Sequence, residues 1–405
     1  MSDYRLGVEN SRTEHYPRFS EAEFERRWGA MRETMREEGL DVLLVHGDST
    51  NVRYLTNYYR PESYVLFFAD PDEPTTLFTK LSNHVQNVRE ISVVEDIRLL
   101  LPDPAAKIAD RIREALGDGG TVGIVGHSPR YDYSISYGHY RALDERLAQD
   151  LVGATAAFTA VHRVKSDEEI DRIREAARLT DLGLSALVDR VEPGVREYEL
   201  AAAFKSAYLA EGGETAVSFL SSAPMTDPEM GVGMPWKRPS DRKIEEGDVV
   251  NMEFGAGYWG YSTQIHRSIA VGRDPSPRYR ELFDVAAEAY ENVLDAIEPG
   301  NTARDVADAL RPIEESPHKL YDVALHGGGN GYVPPFVGTA DSTYWPGGDD
   351  PITADWTFEE NQVLVVQPNV VTEDERHGLQ FGTTVVVTDG GAENLHEFPA
   401  EFVRA

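Results

Sequence analysis

Residues 251–272 read NMEFGAGYWGYSTQIHRSIAVG. Two strand-like segments, DVVNMEFG (248–255) and STQIHRSIAVG (262–272), flank a Gly-rich turn, and this pattern predicts a β-hairpin. Side chains alternate along a strand, so Asn251 and Glu253 share one face and Gln264 shares its face with His266. Hairpin pairing should bring these two polar sets together.

Outward from the hairpin the pattern is α+β. Upstream lie SDEEIDRIREAARLTDLGLSALVDRV (166–191), a long capped helix, a second helix at 196–213 and a strand at 216–222. Downstream come helices at 276–297 and 303–316 and late strands at 363–369 and 383–389. The first 160 residues read differently. A helix at 20–39, opened by a Ser cap with Glu three positions on, precedes strands at 41–47, 63–70 and 75–80. A helix at 104–120 and a strand at 121–126 follow. Strands alternating with helices predict an α/β domain over 1–160, ahead of the α+β domain at 161–405.

Composition narrows the partners. The chain has 405 residues with 41% hydrophobic and 10% aromatic content, enough for real cores. There are 70 acidic side chains against 39 Lys plus Arg, a net charge of −31. Such a surface repels nucleic acid and anionic membrane, so neither is an expected partner. The acids are spread along the chain among many aromatics, which points to a folded protein adapted to high salt. Cysteine is absent, so disulfides, thiolate metal sites and a Cys nucleophile are excluded. No apolar run is long enough to span a bilayer, and the first residues lack a signal-peptide pattern, so a cytoplasmic location is expected.

Four segments carry a resemblance. NVRYLTNYY (51–59) resembles the Asn-x-x-Tyr-Leu-Thr-Gly segment of creatinase-type N-terminal domains. HRVKSDEEIDRIREAA (162–177) resembles the Arg-x-x-Lys-Ser-x-x-Glu-Ile start of the pita-bread catalytic domain. EPGVREYEL (192–200) and PSDRKIEEGDVV (239–250) match in the same order. The chain thus resembles the prolidase, aminopeptidase P and creatinase superfamily. The resemblance implies a creatinase-like α/β N-terminal domain, a pita-bread C-terminal domain and a homodimer. In the dimer TNYYRPESY (56–64) would form the lip of the partner's cleft.

Most members of that superfamily bind two divalent ions through two Asp, one His and two Glu. On the resemblance, those positions here carry Glu253, Gln264, Asn330, Gln367 and Gly382. Three neutral amides, one Gly and one carboxylate do not match the donors that Mn²⁺, Co²⁺ or Zn²⁺ draw on. No metal and no other cofactor is therefore expected. The His that orients substrate ahead of the PSDR segment is replaced by Trp236.

What remains is a pocket for a small polar molecule. Glu253, His266 and His326 are the candidate catalytic residues. Gln264, Asn330, Gln367 and Trp236 are the candidate substrate-binding residues. Each also has a plainer reading. Glu253 could pair with Arg267, His266 could be a satisfied structural histidine beside Arg267, and His326 could only hold its turn. Asn330 could serve a positive backbone angle, Gln264 and Gln367 could be polar fillers, and Trp236 could be packing.

The expected activity is metal-independent hydrolysis of a C–N bond, as in creatinase and ectoine hydrolase. Glu253, raised by burial against apolar walls such as Trp236, would act as base or nucleophile, with His266 or His326 returning a proton. One alternative is a non-catalytic small-molecule-binding relative. The other is a metal-dependent Xaa-Pro dipeptidase or aminopeptidase.

Overall fold

The strand Val42–His46 lies at the centre of a six-stranded mixed sheet ordered Asp96–Leu99, Thr76–Thr79, Tyr64–Phe68, Val42–His46, Thr121–Val125, Asp150–Gly153. The computed structural model describes residues 15–46, 49–60, 62–126, 135–226, 237–340, 353 and 356–405. It divides into two units, Met1–Arg163 and Val164–Ala405. In the first, Leu43 and Val45 pack under helices Glu21–Glu37 and Thr155–His162, while Val42 and Leu44 pack under Pro104–Leu116 and Tyr137–Asp144. Burial on both faces explains why the strand is apolar from Val42 to Val45 rather than alternating.

In the second unit, helix Asp167–Val188 starts at a capping box in which Ser166 Oγ accepts from the Glu169 amide and Glu169 accepts from the Ser166 amide. With helix Glu197–Ala210 it covers a sheet containing Val403–Arg404, Ile265–Ala270, Asp248–Tyr258 and Glu214–Pro224. Met252, Phe254, Ile265 and Ile269 face these helices. The period of two therefore turns Asn251, Glu253, His266 and Ser268 to the opposite face. The hairpin turn holds Trp259 at φ 46° and Gly260 at φ 85°, the left-handed pair that a two-residue turn needs. Gly255 is fixed by crowding, because a Cβ there would lie 1.9 Å from the Thr263 carbonyl oxygen.

A second sheet, ordered Val333–Val337, Leu325–Gly327, Val363–Val366, Thr383–Thr388, Gly391–Asn394, packs against helices Pro277–Ala296 and Ala303–Ala309. The two sheets are stitched where His266 and Gly382 exchange both backbone hydrogen bonds, at 3.0 and 3.2 Å. The Ser262 amide also donates to the Gly329 carbonyl at 2.7 Å.

Several sequence expectations change. The helix expected over 303–316 is two pieces, Ala303–Ala309 and Arg311–Glu314, with Pro312 in the second. Proline lacks the N–H that would continue the first helix. The strand expected over 363–369 ends at Val366, because the Gln367 amide turns to the Ala324 carbonyl. The NVRYLTNYY segment is mostly helix, Ser49–Thr56. Helices Val85–Ile91, Tyr137–Asp144 and Thr155–His162 and strands Asp96–Leu99, Asp150–Gly153 and Leu325–Gly327 were not anticipated. They are short elements whose order comes from packing rather than from a strong local pattern.

Candidate active site

The site begins with the hairpin register. Glu253 stands across from His266 on one side and from Phe219 on the other. The residue is 8% exposed, and its carboxylate makes no hydrogen bond or ion pair to a described side chain. Burial pushes its pKa up to about 7, and the charge of Asp322 pushes in the same direction. The expected alternative pairing with Arg267 does not form. Arg267 stands opposite Met252, on the other face, and its guanidinium donates to the carbonyls of His266, Gly382, Phe398 and Pro399.

His266 is fully buried, and its Nδ1–H donates to Gln380 Oε1 at 3.1 Å. Its Nε2 lies beside Gln367 and makes no well-formed hydrogen bond among the described residues. Burial drives the imidazole down to about 3, with the neighbouring His326 and Arg267 adding to the fall. His326 lies across from Val365 and Phe336, and its Nδ1–H donates to the Gly327 carbonyl at 2.8 Å. Burial lowers it to about 4. Both rings are therefore neutral near pH 7, with Nε2 as the acceptor nitrogen. These surroundings oppose the role expected for either ring as a resident proton donor.

Gln367 neighbours both imidazoles. Its Nε2 donates to the Val323 carbonyl at 3.2 Å, and its buried Oε1 makes no well-formed hydrogen bond among the described residues. Gln264 is pinned through its backbone, which exchanges bonds with Thr384 Oγ1 at 2.9 and 3.0 Å. Its Oε1 is also buried, without a partner among the described residues. Asn330 is held elsewhere: its Oδ1 accepts from buried Lys165 Nζ at 2.9 Å. It is absent from the residues with positive φ, so the turn-conformation reading fails. Trp236 lies outside the described residues.

The structure thus groups Glu253, His266, His326 and Gln367, adds Gln264 on the same strand face, and ties Asn330 to Lys165. Sequence reasoning missed Gln380, Asp322 and Lys165 as neighbours of the site. Lys165 lay inside a quoted motif, and Gln380 stands two residues before Gly382. Tyr332, whose ring centroid is 4.5 Å from that of His326, was missed as well.

The donor set does not fit the dinuclear metal centre that the fold implies. Of the five positions that the resemblance pairs with metal ligands only Glu253 can carry charge. Gly382 has no space for a longer side chain, since a Cβ would lie 2.4 Å from the Val366 carbonyl oxygen and 2.7 Å from Gln367 Cα. Among the described residues no three His, Asp or Glu side chains are grouped so as to hold a metal ion.

Comparison with known proteins follows the same lines. The family model "Metallopeptidase family M24" matches residues 171–389, and "Creatinase/Prolidase N-terminal domain" matches 27–174. The Xaa-Pro dipeptidase of Pyrococcus furiosus is 26% identical over 75% of this chain and 81% of its own. The creatinase of a Bacillus species is 24% identical over 95% of this chain and 92% of its own. Among solved structures, the Xaa-Pro dipeptidase from Bacillus anthracis superposes with a TM-score of 0.77, at 22% identity, over 94% of this chain and 100% of that one. That likeness shows the fold. Because the M24 model spans more than half of the chain, with a creatinase-type domain before it, the chain belongs to metallopeptidase family M24 and is a hydrolase of the prolidase and creatinase kind.

Proposed function

We propose that this chain hydrolyses a C–N bond in a small polar substrate without a metal ion, with Glu253 as the residue that moves the proton. The observation that carries the reading is Glu253 itself. It is buried between Phe219 and His266, has no cationic partner among the described residues, and is raised to about 7. A carboxyl near the working pH is populated in both forms, which suits a general acid–base.

In the proposed cycle Glu253 takes a proton from water as the water oxygen bonds to the substrate carbon. The C–N bond then breaks, and Glu253 returns that proton to the departing nitrogen. One water is consumed and the carboxylate is restored. His266 and His326 stay neutral and accept hydrogen bonds. The alternative in which Glu253 attacks the carbon directly uses the same group.

A metal-dependent Xaa-Pro peptidase is the second reading, favoured by the names of the relatives and opposed by the donor set. The test is a screen of small amides, ureas and amidines for release of ammonia or amine by chelator-treated protein. Turnover that survives chelation and falls about a hundredfold or more in Glu253→Gln supports the proposal. Activity only after divalent ions are added overturns it. Binding without turnover of any compound makes the chain a non-catalytic binder.

A further inference from the structure

Lys165 is 3% exposed, and its Nζ donates to Asn330 Oδ1 at 2.9 Å. An ammonium group is costly to take out of water, so its burial calls for partners that the fold has arranged. The arrangement is visible in the backbone. The Lys165 amide donates to the Asn361 carbonyl at 2.9 Å, and the Gly328 amide donates to the Val363 carbonyl at 2.8 Å. One short segment, 361–363, thus holds the lysine and the Gly-rich turn side by side. Gly329, at φ 88°, leaves room for the lysine stem, since a Cβ there would lie 3.4 Å from Lys165 Cε and 2.9 Å from Ile173 Cδ1. The same turn borders the site. The Gly329 carbonyl accepts from the Ser262 amide at 2.7 Å, on the chain that leads through Gln264 to His266, and the Tyr332 ring lies 4.5 Å from that of His326. A lysine only donates, so it settles which way the Asn330 amide faces: Oδ1 meets the ammonium, and the Nδ2 hydrogens lie on the other branch.

We propose that Lys165 is a positioning residue that makes Asn330 a hydrogen-bond donor to the site, where it meets negative charge developing on a substrate oxygen. A carboxamide can present either its oxygen or its nitrogen. Lys165 occupies the oxygen, and its charge draws electron density from the amide, so the N–H groups are fixed in direction and strengthened as donors. A donor set in place beforehand costs no reorganisation when the charge appears. Asn330 is then the group that touches the substrate, and Lys165 acts through it. The proposal rests on the hydrolase reading in naming the developing charge; the orientation of Asn330 stands without it.

The test is side-chain amide ¹H–¹⁵N NMR of the full chain with two probes of like shape. Trimethylamine N-oxide carries a negative oxygen and no N–H, and tetramethylammonium carries a methyl in its place. The Asn330 resonance is the one lost in Asn330→Asp. The N-oxide should shift it, and tetramethylammonium should not. Lys165→Met keeps the stem and removes the charge, and should weaken N-oxide binding about fivefold or more. Asn330→Asp keeps a partner for Lys165 and removes the donors, so by calorimetry it should bind no N-oxide. If Lys165→Met misfolds by circular dichroism, Lys165→Gln takes its place: its amide can still donate to Asn330 Oδ1, and binding should stay within about threefold of the parent. No shift from the N-oxide, equal shifts from both probes, parent-like binding in Lys165→Met or Asn330→Asp, or lost binding in Lys165→Gln overturns the proposal. On a substrate that the parent turns over, Lys165→Met should lower kcat about tenfold or more and leave KM within about twofold, because the contact strengthens in the transition state. A raised KM with kcat unchanged also overturns it. Lost N-oxide selectivity with turnover still dependent on Glu253 removes only this proposal, and retained selectivity without turnover of any compound removes only the hydrolase reading.

Discussion

His266 and Glu253 are direct cross-strand partners, yet neither gives the other a counter-charge. The His266 ring spends its Nδ1–H on Gln380, and the Glu253 carboxylate has no bond to a described side chain. At a surface such a pair would become an ion pair. Here burial moves the two pKa values the opposite way, the acid up to about 7 and the base down to about 3. Both groups are driven toward their neutral forms.

That relationship gives stability a signature in pH. Between about 4.5 and about 7 the folded protein holds a proton on Glu253 that the unfolded chain has released, so stability falls as pH rises through this window. Glu253→Gln should therefore be more stable than the parent at pH 8, by about 3 kcal/mol, and equal to it at pH 4. Urea melts at the two pH values check this, and an equal difference at both would contradict it.

The histidines act in the other direction. Between about 3 and about 6.5 the unfolded chain binds the His266 proton and the folded protein does not, so this group's contribution rises with pH. Replacing it by Asn should flatten the acid limb of the stability profile. A limb that keeps its slope in His266→Asn would show that other groups set it.

Elemental analysis of protein purified without chelator should find less than one tightly held divalent ion per chain. The positions that the resemblance pairs with metal ligands carry a carboxylate, three amides and a glycine. Two firmly bound ions would return the metallopeptidase reading.

Gly382→Ala should destabilise the fold by about 1–3 kcal/mol, because the added methyl meets the Val366 carbonyl and Gln367 backbone. Equilibrium unfolding measures it. An unchanged midpoint would mean that the strand can shift to make room.

The net charge of −31 should make stability depend on salt. The Debye length grows from about 3 Å at 1 M to about 30 Å at 0.01 M, so self-repulsion grows as salt is removed. The melting temperature should drop across that range. Light scattering at molar salt should report the mass of two chains; a constant melting temperature or a single-chain mass would count against the proposed salt adaptation and homodimer respectively.

The sequence by itself determined what local rules govern. Ser20 and Ser166 mark helix starts, and the alternation of 248–255 with 262–272 sets the hairpin and its polar face. The order of the motifs disclosed the family, and the resemblance implied an altered donor set. Only tertiary structure decided the state of each group. Gln380 reaches His266 from 114 residues away and Lys165 reaches Asn330 from 165, and no local pattern encodes such pairs. The same holds for the failed pairing of Glu253 with Arg267. A side chain's type and strand face follow from its neighbours in sequence, but its protonation and its hydrogen bonds follow from what the fold packs around it.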